Sequence, residues 1–445
     1  MTYPDPDSSS AELFARARKV MPGGNSRTGV FLSPYPIYAV HGEGCRVTDA
    51  DGNVRIDCIN NWSSLIHGHG NPAIQAAISE QSRHLLAAGM PTELEIELAE
   101  LLCERLPGVE QIRFSNSGTE GMMMALRAAR AFTGRDMVAK VEGAFHGSAD
   151  ALEISVAPSR SQWGPADAPA SVPATAGIPV KVRQDTLVLP FNNVEATARL
   201  LEAHADELAA VVIDPIVSRI GFVEASAEYL QTVRALTEKK GIVLIFDEVF
   251  SFRVGYHGAQ GLTGITPDLT ALGKIIGGGL PVGATGGKAE IMEVFDQTKK
   301  PLRVEHGGTY NANPLTMAAG LACMRQMTPA AYERLDRLGD RMRDGLRRCL
   351  KDHDLPGQVK GRGSLVGLLF DGKPFADFRT LPRGKDQLQR ILGLHRFLLN
   401  HGVQIIPFGL MILSTAMTET DVDEVLEQVS AGMAALPSFD LSHAG

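Results

Sequence analysis

One lysine and two carboxylates carry the chemistry open to this sequence. Lys274 stands among apolar residues and glycines, with Gly273 before it and Gly277, Gly278 and Gly279 close behind. An amine held against such a wall loses hydration, its pKa falls, and the free base attacks carbonyl carbon. Asp247 and Glu248 end an apolar, β-rich run, residues 242–246, which reads as a buried strand. An acid at the end of such a strand, paired with a desolvated lysine, is what pyridoxal 5'-phosphate (PLP) requires. The lysine supplies the Schiff base, and the acid, Asp247, keeps the pyridinium nitrogen protonated so that the ring accepts electrons.

The flanking elements fit that reading. The stretch IRFSNSGTEGMMMALRAAR, residues 112–130, runs from a short strand through a polar turn into a helix. Ser117, Gly118 and Thr119 sit at the helix start, where free N–H groups and hydroxyls receive an anion. An ordinary N-cap has the same composition; beside Lys274 and Asp247 the turn reads as a cup for the cofactor phosphate. Residues 138–147 read as the next strand and its loop, and residues 209–223, which include Asp214, as a buried parallel strand followed by a turn. Strand–helix alternation from 112 to 287 predicts an α/β fold, a mostly parallel central sheet with helices on both faces. In such sheets sites lie at the carboxyl ends of the strands, where Asp247 stands.

Several blocks in this order resemble the class III aminotransferases of PLP fold type I, and within them the glutamate-1-semialdehyde 2,1-aminomutase-like branch. They are DEV at 247–249, FRVGYHGAQ at 252–260, PDLTALGKIIGGG at 267–279 and PVGATGG at 281–287. The resemblance spans residues 20–325 and continues more thinly to about 430. It implies that Phe145 lies flat on the pyridine ring with His146 beside it, and that Val249 covers the opposite face. A plain buried phenylalanine is the other reading of Phe145. Asn192 is implied as a cofactor-side hydrogen-bonding group, and Asp214 stands where relatives carry glutamate. Thr309, in HGGTYNANPLTMAAG, is implied to reach the phosphate of a neighbouring subunit in a homodimer with shared sites. Arg27, Trp62 and Phe408 fall on the substrate side. An arginine fork suits a carboxylate; a surface arginine on a loop is the other reading of Arg27.

Two departures bear on specificity. DEVFSFRV is one residue shorter than the aminomutase DEVMTGFRV, so the loop beside the ring is remodelled. PFGLMILST places Gly409 where the aminomutases have glutamate and Phe408 where some β-amino acid transaminases have arginine, which makes that wall apolar.

The 445 residues are too many for one small core. The expected organisation is an N-terminal segment with a small meander over 1–60, a large PLP-binding domain over 61–325, and a small C-terminal domain over 326–445, the termini together forming a smaller α+β lobe. Residues 1–10 read as a disordered arm, and Ser10 as the cap of a helix from Ala11. The Pro/Ala/Ser-rich stretch 157–180 reads as a lid loop. A net charge of −8 speaks against nonspecific binding to nucleic acid or an anionic membrane. Five scattered cysteines without a CxxC pair point to neither a disulfide framework nor a zinc site, and fit a reducing cytoplasm. No metal is expected: His67 and His69, in a glycine-rich turn, position a loop. The expected enzyme is a PLP-dependent transaminase exchanging an amino group between a primary amine (a β-amino acid, an arylalkyl amine or an amino sugar) and a keto acid or aldehyde. The alternative is an aminomutase or isomerase of the glutamate-1-semialdehyde type.

Overall fold

The computed structural model describes residues 3–436. The chain divides into two compact units. One comprises Met1–Asn71, Arg334–Lys373 and Pro382–Gly445, and the other Pro72–Glu333 and Pro374–Leu381.

The second unit is built on a seven-stranded sheet. Its strands are β1 (Gln111–Ser115), β2 (Met137–Val141), β3 (Thr186–Leu189), β4 (Leu208–Ile213), β5 (Val243–Asp247), β6 (Leu269–Gly273) and β7 (Gly283–Gly287). Their spatial order is β1-β7-β6-β5-β4-β2-β3. The β6–β5–β4–β2–β3 run is parallel throughout, and β7 lies antiparallel to both β6 and β1. Strands β4, β5 and β6 are buried along their whole length, as their unbroken apolar runs require of strands covered on both faces. The helix Gly118–Thr133 packs its Met122, Ala125 and Ala129 into the core formed with Val212, Ile245 and Ala271. The parallel order sets the carboxyl ends of β2, β4, β5 and β6 side by side, and these ends carry the candidate residues.

The first unit holds a meander, Ala39–Glu43, Arg46–Asp49 and Val54–Asp57, extended by Val403–Gln404 in parallel with its last strand. A three-stranded antiparallel sheet, Gln358–Lys360, Leu365–Leu369 and Leu410–Ile412, shares a core with the helices Lys385–Asn400 and Glu419–Ala435.

The amino-terminal arm departs from expectation. Residues 3–10 are ordered. The Tyr3 hydroxyl donates to the Tyr35 carbonyl at 2.6 Å, and the two rings meet edge to face. The Asp5 N–H donates to the Tyr35 hydroxyl. One aromatic anchor thus holds a segment whose composition alone signals disorder. The first helix is Ser9–Ala17, capped by Ser8 rather than Ser10; the Ser8 hydroxyl accepts from Ala11 N–H.

Candidate active site

Lys274 follows β6 in a left-handed backbone conformation, φ +52°. Such a conformation in a non-glycine residue is costly, and it persists only where the surroundings enforce it. Burial lowers the pKa of its amine to about 8, against the smaller upward pull of Asp247 and Asp214. The Nζ atom lies 4.1 Å from the centroid of Phe250. Phe250 in turn packs on Phe222, ring centroids 5.7 Å apart. Phe250, in the DEVFSFRV segment, thus lies against the lysine with Phe222 packed behind it. An amine of pKa 8 is about 10% free base at pH 7 and about 90% at pH 9. The rate at which cofactor-free protein captures added PLP covalently should accordingly rise through about pH 8 and then level off. Rapid-mixing absorbance across pH measures it; a rate still climbing at pH 10 would mean an ordinary lysine.

Asp247 ends β5, 5% exposed. Its Oδ2 is 2.7 Å from His146 Nδ1 and its Oδ1 accepts the Val249 N–H at 3.0 Å. Burial lowers the His146 pKa, so the ring is neutral and donates from Nδ1. Each Asp247 oxygen accepts one hydrogen bond here and keeps capacity for another. Asp214, at the end of β4, is raised well above the usual carboxylate range by burial first and then by the charge of Asp247. It shifts toward its neutral form, which spares the site a second full negative charge.

Ser117 caps the helix Gly118–Thr133, its hydroxyl accepting the Glu120 N–H at 3.2 Å. The first intrahelical bond runs from Gly121 N–H to Ser117 carbonyl. Gly118 and Thr119 N–H precede it and are among the free donors of the first turn. A Cβ at Gly118 would stand 2.8 Å from Val249 Cγ1. Val249 also abuts Gly273, so this one valine joins the turn, the Asp247 strand and the Lys274 strand. Gly118→Ala should overpack this contact and weaken PLP binding about 10- to 100-fold, equivalent to about 1–3 kcal/mol. Equilibrium titration of cofactor-free protein checks this; unchanged affinity would mean the cup lies elsewhere.

Phe145 follows β2 and is 43% exposed, so it is not a plain core residue. The Arg219 guanidinium lies 5.8 Å from its ring centroid. Sequence reasoning missed Lys140, which holds this loop. Its buried ammonium donates to the carbonyls of Val141, Ala144 and Ile154 at 2.7–3.1 Å, with its pKa pushed down to about 7 by burial. A lysine inside the apolar strand VAKV was the available signal.

Asn192, expected beside the cofactor, has its amide engaged elsewhere. Its Nδ2 donates to the carbonyls of Glu224 and Ala376, and its Oδ1 accepts Ser226 N–H. It follows β3, the edge strand, two strands removed from β4. Thr309 is exposed, on a loop tied to the turn before the helix Gly118–Thr133 through Asn311, whose Oδ1 accepts from Asn116 Nδ2 at 2.9 Å. The 157–180 stretch is fastened down: Arg379 donates to the carbonyls of Trp163 and Gly164 and forms a two-pronged pair with Glu142.

Arg27, Trp62 and Phe408 belong to the first unit. Arg27 donates to Asn61 Oδ1 at 2.8 Å. Trp62 stands in a left-handed run, Asn60, Asn61, Trp62 and Ser63, all at φ between 47° and 76°. Phe408 is 65% exposed. The adjacent Gly409 has φ +80°, and a Cβ there would meet the Leu368 carbonyl oxygen at 2.2 Å. A side chain at that position would be strained and would force the Leu368 backbone to shift. His67 and His69 hydrogen-bond Thr415 and Asp57 respectively.

The sequence model of the family described as Aminotransferase class-III matches residues 32–433. A glutamate-1-semialdehyde 2,1-aminomutase of Halalkalibacterium halodurans is 42% identical over 420 residues, 93% of this chain and 95% of that protein. Among solved structures, an omega-transaminase from Sphaerobacter thermophilus superposes with a TM-score of 0.96 at 48% identity, covering 98% of this chain and 99% of that one. A beta-phenylalanine aminotransferase from Variovorax paradoxus gives 0.86 at 33% identity, covering 97% and 94%. The chain belongs to the class-III aminotransferases, and has their fold. It is a PLP-dependent enzyme. The residues present suit that cofactor. The first-turn N–H groups of the helix Gly118–Thr133 precede its first intrahelical bond, and an amine stripped of hydration lies within the field of two acids. The buried Nε2 of His146 has no hydrogen-bond partner among the described residues.

Proposed function

We propose that this class-III aminotransferase moves an amino group from a primary amine to a carbonyl acceptor, with Lys274 as nucleophile and proton carrier. PLP, when bound, supplies the electron sink. The observation that carries the reading is the lowered pKa of Lys274 beside Asp247 and Asp214 at the ends of adjoining strands. In this reading Lys274 Nζ takes the proton from the carbon bearing nitrogen and returns it one position away. One tethered amine performs both transfers, so little entropy is lost between them. Asp247 holds the ring nitrogen protonated, and His146 Nδ1–H fixes the carboxylate in place. The free N–H groups of Gly118 and Thr119 and the Ser117 hydroxyl hold the phosphate. Val249 and Phe145 bracket the ring. Thr309, exposed on its loop, reaches the phosphate of a second copy in a homodimer.

The donor class we propose is a β-amino acid or arylalkyl amine, supported by the names of the two transaminase structures above. An aminomutase reading is favoured by the 42% identity to the Halalkalibacterium enzyme. The strain that a side chain at Gly409 would bring weighs against it. Incubating the holoenzyme with single amines and no acceptor separates the two. Stoichiometric ketone with conversion of the cofactor band supports transamination; a rearranged amine with the band restored supports the isomerase.

A further inference from the structure

The ribbon Ile216–Val217/Val223–Glu224 follows β4 and carries one cation that the mechanism above leaves unused. Its turn, Ser218–Ile220, is closed by Gly221 at φ +82°. Arg219 projects from this turn with its guanidinium 5.8 Å from the centroid of Phe145. Three residues on, Phe222 is buried against Phe250, the ring that lies beneath Lys274 Nζ. The same short ribbon thus walls the nucleophile and presents an arginine on the Phe145 side.

That arginine lacks a counter-ion. Arg105, Arg113, Arg135 and Arg379 all donate to carbonyl or carboxylate oxygens within the second unit. Among the described residues no such oxygen is bonded to Arg219. The nearby acids are committed: Asp214 to Ile216 N–H, Asp247 to His146 and Val249 N–H, and Glu142 to Arg379. The residue is exposed, yet enough protein surrounds its guanidinium for burial to lower the pKa, with no acid offsetting the shift. A planar, always-charged fork over the Phe145 ring, with no carboxylate bonded to it among the described residues, has the geometry that suits a ligand carboxylate.

We propose that Arg219 binds the carboxylate of the amine donor and sets a preference for amino acids over neutral amines. The proposal rests on the transaminase reading and names its substrate class. The resemblance offers Arg27 for this task; Arg219 instead shares a unit with Lys274.

The test compares matched donors, 3-amino-3-phenylpropanoate and 1-phenylethylamine, on holoenzyme carrying Arg219→Gln, Arg219→Lys or Arg27→Gln. Arg219→Gln should raise KM for the carboxylated donor about 10- to 100-fold and leave the neutral donor within about threefold. Arg219→Lys should restore part of the difference. Calorimetry with 3-phenylpropanoate, which has no amine to transfer, reads the same contact independently of turnover. Its Kd should weaken about 10- to 100-fold in Arg219→Gln. That arm keeps the failure of the transaminase reading distinct: no turnover with any amine, but Arg219-dependent carboxylate binding, would sink the reaction and keep the receptor. Equal losses for both donors, with a fall in melting temperature or cofactor content, would overturn the proposal. So would a carboxylate-specific loss confined to Arg27→Gln.

Discussion

Lys274→Ala is expected to lower turnover with every amine donor by about 10^4-fold or more, because it removes nucleophile and proton carrier together. The variant should still fold and still bind PLP without a covalent link. The burial that lowers the Lys274 pKa to about 8 disfavours its charged form, so deleting the amine relieves a desolvation cost. Melting temperature and cofactor content therefore separate lost chemistry from lost structure. Turnover within tenfold of the parent would remove Lys274 from the mechanism.

Asp247→Asn should be the second most damaging change, lowering kcat/KM about 10^2- to 10^3-fold, the usual scale for removing one preorganised electrostatic group. The amide keeps the shape but loses the charge that His146 faces and that the proposed mechanism also sets against the cofactor nitrogen. The Asp247 charge partly offsets the burial that depresses the His146 pKa, so that pKa should fall further in the variant. Asp214→Asn provides the contrast. Asp214 already shifts toward its neutral form, so its replacement should cost less than about tenfold. Equal losses at the two positions would mean that both carboxylates carry charge during catalysis. Steady-state kinetics with saturating PLP decides between them.

The residues proposed to do the chemistry are easier to pick out in the sequence than the residues that hold them. Lys274 and Asp247 stand at the ends of apolar runs long enough to declare buried strands, and the polar turn at Ser117 leads straight into a helix. Those signals are local. The supports are not. Lys140 gathers carbonyls up to 14 residues away, and Arg379 reaches back 237 residues to Glu142. Their partners are backbone oxygens and a distant acid, which leave no periodicity to read. The ordered amino terminus depends on Tyr35, some 30 residues downstream, so its composition misled. Asn192 was assigned through a motif, yet its amide hydrogen bonds go to backbone groups at 224, 226 and 376. The segment Pro374–Leu381 groups with the second unit because Arg379 and Phe378 pack there, Phe378 with its ring edge on Trp163. The left-handed turn of Gly409 against the Leu368 carbonyl is likewise a long-range contact, invisible in the local sequence.

The central claim is a covalent bond between the Lys274 nitrogen and PLP, and borohydride reduction followed by peptide mapping tests it most directly. The account predicts one phosphopyridoxyl-modified peptide, containing position 274, in wild-type holoenzyme and none in Lys274→Ala. A label on any other lysine, or no label after reconstitution with PLP, would contradict it.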